Sequence, residues 1–381
     1  MIGIVHFVLL GLSLMNSGQT KSECSLEAQQ YQNSKAFHKL RDYILPKAHL
    51  NETPGHRDYH LRTEALVIRH RNCTWFENYR DGYSPEKKHL AWSISKSVTS
   101  LAIGRAERLG LLNRKDLVKK YFPQMSGIYS NELSIENLLD WSSGFQWNEG
   151  YEFNPLNSNV VAMLYTGGRQ NMAQYVLNRP WAYRPGTKWQ YSTGDSTLLM
   201  AVLQKALKQQ ALDQFLQKQV FGPIGLKKFT WEEDASGTAV GGAYFYTTAR
   251  GLARIGELLL NNGRWKSKQL LPKDWLKYAQ SIPQSYSAEN HHDKDANSGV
   301  HWWVNHGDPD RAIAQAWSDV PKDLIFALGH WGQVLVIVPS ENLVVARFGN
   351  DWDGVLDQEK FFHLLYNSVK SFHESISSRS N

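Results

Sequence analysis

Segments that read as β-strand fall at the two ends of this 381-residue chain, and a long stretch of helix and turn separates them. Ala65–Arg69 and Thr74–Tyr79, rich in β-branched and aromatic residues, read as a hairpin around an Arg71-Asn72 link. Towards the other end, His301–Val304 reads as a short strand. Gln333–Val338 and Leu343–Phe348 read as a second hairpin around Pro339-Ser340-Glu341-Asn342. Between them, Ser93–Leu111 reads as a helix, because Ile94, Val98, Leu101, Ala102 and Ala106 recur every three or four residues and Gly110 is placed to end it. Ile135–Trp141, Ser158–Tyr165, Met172–Asn178, Ser196–Val220 and Thr247–Asn262 read as further helices, and Gln358–Phe372 closes the chain as another. The expectation is an α/β (two-lobed α+β) fold. A discontinuous antiparallel sheet flanked by helices is drawn from residues 30–114 and 291–375, and a mainly helical domain, residues 115–290, is inserted into it. Such an arrangement holds its active site in the cleft between lobes.

Composition narrows the partners. Hydrophobic residues make up 42% of the chain and aromatic residues 12%, which is globular composition. The formal charge of +6 is modest, and the basic residues are scattered, so no ordered basic stripe with interleaved aromatics points to nucleic acid. Ile2–Met15 is almost wholly apolar and precedes the small polar stretch Asn16–Thr20. That run is shorter than the roughly 20 residues needed to span a bilayer but suits a signal-peptide core. Residues 1–20 are therefore expected to be a signal peptide, with an uncleaved anchor as the alternative. Either way the body lies outside the cytoplasm (periplasmic or secreted), with no stable membrane span after processing. Cys24 and Cys73 are the only cysteines, which excludes a cysteine-based metal cage. In an oxidising compartment they either pair, tying the amino-terminal segment to the first hairpin, or stay free; both readings are open.

The chemistry centres on Ser93-Ile94-Ser95-Lys96. Residues three apart share a helix face, so the Lys96 amine can reach the Ser93 hydroxyl. A serine hydroxyl is a weak nucleophile until a neighbouring base takes its proton. At a helix start the serine's own N–H is also free to bind a developing oxyanion. The Ser-x-x-Lys spacing is ambiguous alone, since Ser84-Pro85-Glu86-Lys87 shares it, but that copy sits in a charged loop with no apolar helix after it. Two further segments complete the pattern. Tyr191-Ser192-Thr193-Gly194-Asp195 presents a tyrosine able to shuttle a proton. Gly329-His330-Trp331-Gly332-Gln333 enters a strand whose edge offers a second oxyanion donor, expected at the Gln333 N–H. His330 and Gly332 are expected to contact substrate there.

These three segments, in this order, resemble the serine β-lactamase and penicillin-binding-protein-like hydrolases. Leu138-Leu139-Asp140-Trp141-Ser142-Ser143-Gly144-Phe145, Phe221-Gly222-Pro223-Ile224-Gly225-Leu226 and the run from Gly241 to Arg250 are similar to further segments of that family, so the likeness spans residues 63–372. Val160–Tyr165, Met172-Ala173, Tyr175 and Arg179-Pro180 resemble most the class C-type branch, near its 6-aminohexanoate-dimer-hydrolase-like and esterase-like members. The resemblance implies Ser93 as the acylated nucleophile, Lys96 as its base, Tyr191 as proton shuttle, and the N–H groups of Ser93 and Gln333 as the oxyanion hole. It implies no cofactor and no metal. No His-Glu-x-x-His motif is present, His56 and His60 having only i, i+4 spacing and His291-His292-Asp293 reading as a polar loop.

Departures from the family point to the substrate. His330-Trp331-Gly332 stands where β-lactamases usually carry Lys-(Thr/Ser)-Gly, and Tyr191-Ser192-Thr193 lacks the asparagine that often orients a β-lactam amide. No counterpart to the acidic deacylation residue of class A enzymes is evident. Trp331 either points away from the cleft or narrows it, and among Trp141, Trp147, Trp181 and Trp189 some are expected to line it. Esterase or amidase action on a small ester, amide or peptide is therefore expected over antibiotic hydrolysis. A DD-peptidase or D-amino-acid peptidase and a non-catalytic penicillin-binding-type sensor are the alternatives.

Overall fold

The computed structural model of the chain describes residues 20–46, 60–150, 155–287, 289, 296–352 and 354–378. The apolar segment Ile2–Met15, His56 and the His291-His292-Asp293 loop lie outside the described residues.

The two ends of the chain do close one sheet. Its seven strands run Cys73–Tyr79, Thr63–His70, Leu343–Gly349, Gln333–Val338, Ile325–Gly329, Trp303–Val304 and Asn297–Ser298 in spatial order, every neighbouring pair antiparallel. Arg71 and Asn72, at φ of 45° and 67°, make the turn of the first hairpin. Paired positive φ values suit the right-handed twist of the flanking strands. Gln333–Val338 and Leu343–Gly349 are buried along their whole length, because the sheet is covered on both faces. Alternation sends Ala65, Val67, Leu335, Ile337, Val344 and Ala346 into the larger core, beside helices Ile94–Arg108 and Ala249–Leu260. It sends Leu66, Ile68, Val334, Val336 and Val345 into a second core under helices Lys21–Gln32, Lys35–Ile44 and Gln358–Ser377. Helix Ala249–Leu260 falls within the span 115–290 expected for the insert, yet it packs on the sheet.

Local differences from the sequence reading have physical causes. Ser196–Val220 is not one helix. Thr193–Ala206 ends where Lys208 turns left-handed at φ 56°, and the chain resumes at Leu212. His301, at φ 60°, cannot extend a strand, which leaves only Trp303–Val304. Strand Ile325–Gly329 was not anticipated, since a short unbroken apolar run carries no period to distinguish strand from helix. The helix Lys21–Gln32, which hydrophobic periodicity does not mark, is started by a capping box between Thr20 and Glu23. Of the two readings left open for the cysteines, the structure has the disulfide, Cys24–Cys73. No helix among the described residues is long and apolar enough to cross a membrane.

Candidate active site

The chain enters the site through a second, three-stranded sheet. His89–Leu90 pairs with Phe245–Thr247, and the Ala91 N–H donates to the Phe245 carbonyl at 2.8 Å. The next residue, Trp92, turns left-handed at φ 48°. A large aromatic residue adopts that conformation at a cost of about 1–3 kcal/mol, so the surroundings must hold it. Ser95 does so: its hydroxyl donates to the Trp92 carbonyl at 2.5 Å and accepts from the Phe245 N–H at 3.1 Å. On the other side, strand Ile325–Gly329 comes so near that a β-carbon on Gly329 would sit 2.3 Å from the Ala91 carbonyl oxygen. These contacts set Ser93 at the N-cap of helix Ile94–Arg108, with no hydrogen bond to its N–H among the described residues.

Lys96, one turn into the helix, is 1% exposed. Its amine donates to Ser93 Oγ at 3.0 Å, Thr193 Oγ1 at 2.8 Å and the Gly242 carbonyl at 3.0 Å. The competing Ser-x-x-Lys copy differs in every respect. Ser84 and Lys87 are exposed, and the Lys87 amine is spent on the Gly82 carbonyl.

Tyr191 approaches Lys96 through its ring, whose centroid is 4.5 Å from the amine, and its hydroxyl makes no hydrogen bond among the described residues. Trp141 (4.8 Å between ring centroids) and the nearly parallel Trp303 (5.8 Å) hold the tyrosine ring. Behind Trp141 stacks His301, wholly buried, bonded to the Leu139 carbonyl and Ser196 Oγ. Burial pushes its pKa down to about 3, helped by the Lys96 charge, so it is neutral at ordinary pH.

The third segment forms the turn between Ile325–Gly329 and Gln333–Val338, and Gly329 is the register partner of Gln333. Gln333 is wholly buried. Its amide group donates to the carbonyls of His330, Trp331 and Gly349, so the side chain braces the turn. Arg347, buried and paired with Asp351 at 2.7 and 2.9 Å, donates to the Gly332 carbonyl beneath it. His330 and Trp331 face Trp92 edge-on, at 5.4 and 5.6 Å between ring centroids, and Trp331 is absent from the cavity wall.

Ser93, Tyr191, His330, Gly332 and Gln333 line one cavity of about 270 Å³, which continues past Trp303, Leu328 and Trp352. The four tryptophans noted in the sequence are not in its wall; Trp141 and Trp147 are buried behind it.

Glu149 was missed in the sequence. It accepts from the Thr193 N–H at 2.9 Å and from the Thr193 hydroxyl, and lies 3.6 Å from the Lys96 amine. A lone glutamate in a polar loop carries no periodic or motif signal, so nothing in the sequence pointed to it.

Asp195, first-turn neighbour of Thr193, is wholly buried and accepts from Ser143 Oγ at 2.8 Å and Ser192 Oγ at 3.1 Å. Burial is the main force raising its pKa to about 7. The folded state therefore binds this proton more tightly than the unfolded chain does. The resulting stability is complete below about pH 4 and is lost as pH rises through about 7. Asp195→Asn is expected to gain stability relative to wild type as pH rises across that window, by on the order of 2–4 kcal/mol, each tenfold in proton affinity being worth about 1.4. Denaturant melts of both proteins at acid and alkaline pH check this. An offset independent of pH would refute it.

Comparison with known proteins agrees with this architecture. The model of the Beta-lactamase family matches residues 47–365. The 6-aminohexanoate-dimer hydrolase of Paenarthrobacter ureafaciens is 22% identical over 299 residues, 76% of this chain and 72% of that one. A shorter match, 27% identical over 36% of this chain and 32% of its relative, is to an Escherichia coli protein provisionally described as a D-alanyl-D-alanine carboxypeptidase. Among solved structures, EstCE1, a hydrolase with promiscuous acyltransferase activity, superposes with a TM-score of 0.64 at 14% identity, over 91% of this chain and 99% of that one. A penicillin-binding protein homologue from Caulobacter crescentus gives 0.61 at 12% identity, over 89% and 98%. At these identities the likeness is one of fold.

Proposed function

Because the chain belongs to the beta-lactamase family of serine hydrolases, we propose that it is a hydrolase that forms an acyl-enzyme at Ser93 and cleaves small esters or amides. The observation that carries this reading is the Lys96 amine, buried and 3.0 Å from a Ser93 hydroxyl that opens on the cavity. In the proposed cycle the Ser93 oxygen attacks the substrate carbonyl carbon while Lys96 accepts the hydroxyl proton. Negative charge on the carbonyl oxygen meets the Ser93 N–H at the helix start and an N–H of the Gly329–Gln333 turn, with Gln333 the donor expected from the sequence. A proton passed from Lys96 or Tyr191 releases the alcohol or amine. Water, activated by the same pair, then hydrolyses the ester at Ser93.

The cavity wall bears on the choice of substrate. Among the described residues, His330 is the one side chain in its wall that can carry positive charge, and Trp303, Leu328 and Trp352 line its continuation. Among the described residues, a β-lactam carboxylate thus meets no lysine or arginine in that wall.

Export is proposed on separate grounds. The apolar run Ile2–Met15 suits a signal segment, and the Cys24–Cys73 disulfide suits an oxidising compartment.

The test sets nitrocefin, a short p-nitrophenyl ester, an aminohexanoate dimer and a D-Ala-D-Ala peptide side by side, with intact-mass detection of acylated protein. Turnover of ester or dimer above the other two is the expected result. Preferential cleavage of the D-Ala-D-Ala peptide would replace this reading with a peptidase, and acylation without turnover would replace it with a sensor.

A further inference from the structure

The bonds around Lys96 describe its protonated form. An ammonium group has three N–H donors, and three acceptors surround it: Ser93 Oγ, Thr193 Oγ1 and the Gly242 carbonyl. To act as a base, the amine must first lose one of those protons, and the three acceptors differ in what they can do with it. Ser93 Oγ is the group to be deprotonated. The Gly242 carbonyl has no proton of its own to hand on. Thr193 Oγ1 has one, and it already donates to Glu149 Oε1.

Glu149 is built to receive it. Its second oxygen accepts from the Thr193 N–H at 2.9 Å and from Trp147 Nε1 at 2.5 Å. Trp147 in turn lies flat on Gly194, where a β-carbon would meet the ring at 2.7 Å. The carboxylate is thus locked against the residue that touches Lys96. The other titratable groups around Lys96 cannot substitute for it. Tyr191 presents its ring face, His301 is neutral behind Trp141, and Asp195 is turned towards Ser143 and Ser192.

We propose that Glu149, acting through the Thr193 hydroxyl, is the positioning carboxylate that takes the surplus proton of Lys96 and frees the amine to receive the Ser93 proton. Lys96 Nζ–H passes its proton to Thr193 Oγ1 while the Thr193 hydroxyl proton passes to Glu149 Oε1. An ammonium–carboxylate pair becomes an amine–carboxylic acid pair with no change in net charge and no co-reactant. The amine then takes the Ser93 proton as Oγ bonds to the substrate carbonyl carbon. This rests on the reading of Ser93 as nucleophile and adds to it a proton store absent from the sequence motifs.

The probe is p-nitrophenyl acetate, with the rate of Ser93 acylation followed by absorbance and intact mass across a pH series. In Glu149→Gln and in Thr193→Val, kcat at neutral pH is expected to fall about 10²-fold with KM little changed. Both should recover towards alkaline pH, where solvent can take the Lys96 proton. Thr193→Ser, which keeps the hydroxyl, should behave as wild type. A purely structural role would lower the rate equally at every pH, and that result overturns the proposal. So does an unchanged profile in Thr193→Val, with Tm confirming that each variant is folded. If wild-type Ser93 takes no label at all, the hydrolase reading itself fails and this assignment with it; a labelled wild type with unaltered variants overturns this assignment alone.

Discussion

Ser93→Ala is expected to abolish acyl-enzyme formation and lower kcat by at least about 10³-fold, leaving KM within a few-fold. The size follows from the geometry. Among the described residues the cavity wall offers the Ser93 hydroxyl beside the Lys96 amine, and no second hydroxyl in that wall has such a base. The binding surfaces from Tyr191, Trp303 and the 329–333 turn survive the change, so substrate should still bind. Ser93 is half-buried and its hydroxyl gives up one bond, to the Lys96 amine, so the fold stays intact and Tm should move little. Full activity in Ser93→Ala would remove the nucleophile from this reading. Ser84→Ala, in the exposed copy of the motif, is the matched control and should be silent.

Lys96→Ala is expected to slow acylation by about 10²–10⁴-fold, the range lost when a positioned base is removed. Here stability also changes. The substitution leaves Ser93 Oγ, Thr193 Oγ1 and the Gly242 carbonyl without their common donor in a buried place, and Glu149 without its neighbouring cation. Each unsatisfied buried group costs about 1–3 kcal/mol. Tm must therefore be measured beside the rate. Chemical rescue separates the two effects: a small primary alkylamine can occupy the vacated volume and restore the base, whereas it cannot repair a general loss of packing. Acylation that rises with added amine supports the role of Lys96. A folded Lys96→Ala protein that acylates at the wild-type rate refutes it.

Much of the architecture was legible because periodicity survives without knowledge of contacts. Residues 65–69, 74–79, 333–338 and 343–348 carried their strand character in their own composition, and Ile94–Arg108 its helix in the spacing of Ile94, Val98, Leu101 and Ala106. Helix context alone separated Ser93 from Ser84. Strand Ile325–Gly329, now seen to hold the cleft edge, escaped because five apolar residues in a row fit either regular structure.

What the sequence by itself determined is the juxtaposition of Ser93 and Lys96: i, i+3 spacing on an apolar helix brings the two side chains together whatever surrounds them. What only the tertiary structure decided is the state of that pair. Thr193, Gly242 and Glu149 reach Lys96 from positions 97, 146 and 53 residues away along the chain, and the left-handed Trp92 that aims Ser93 is held by Ser95 and Phe245. No local pattern encodes such contacts, because a hydrogen bond between distant segments depends on where the sheet and helices dock.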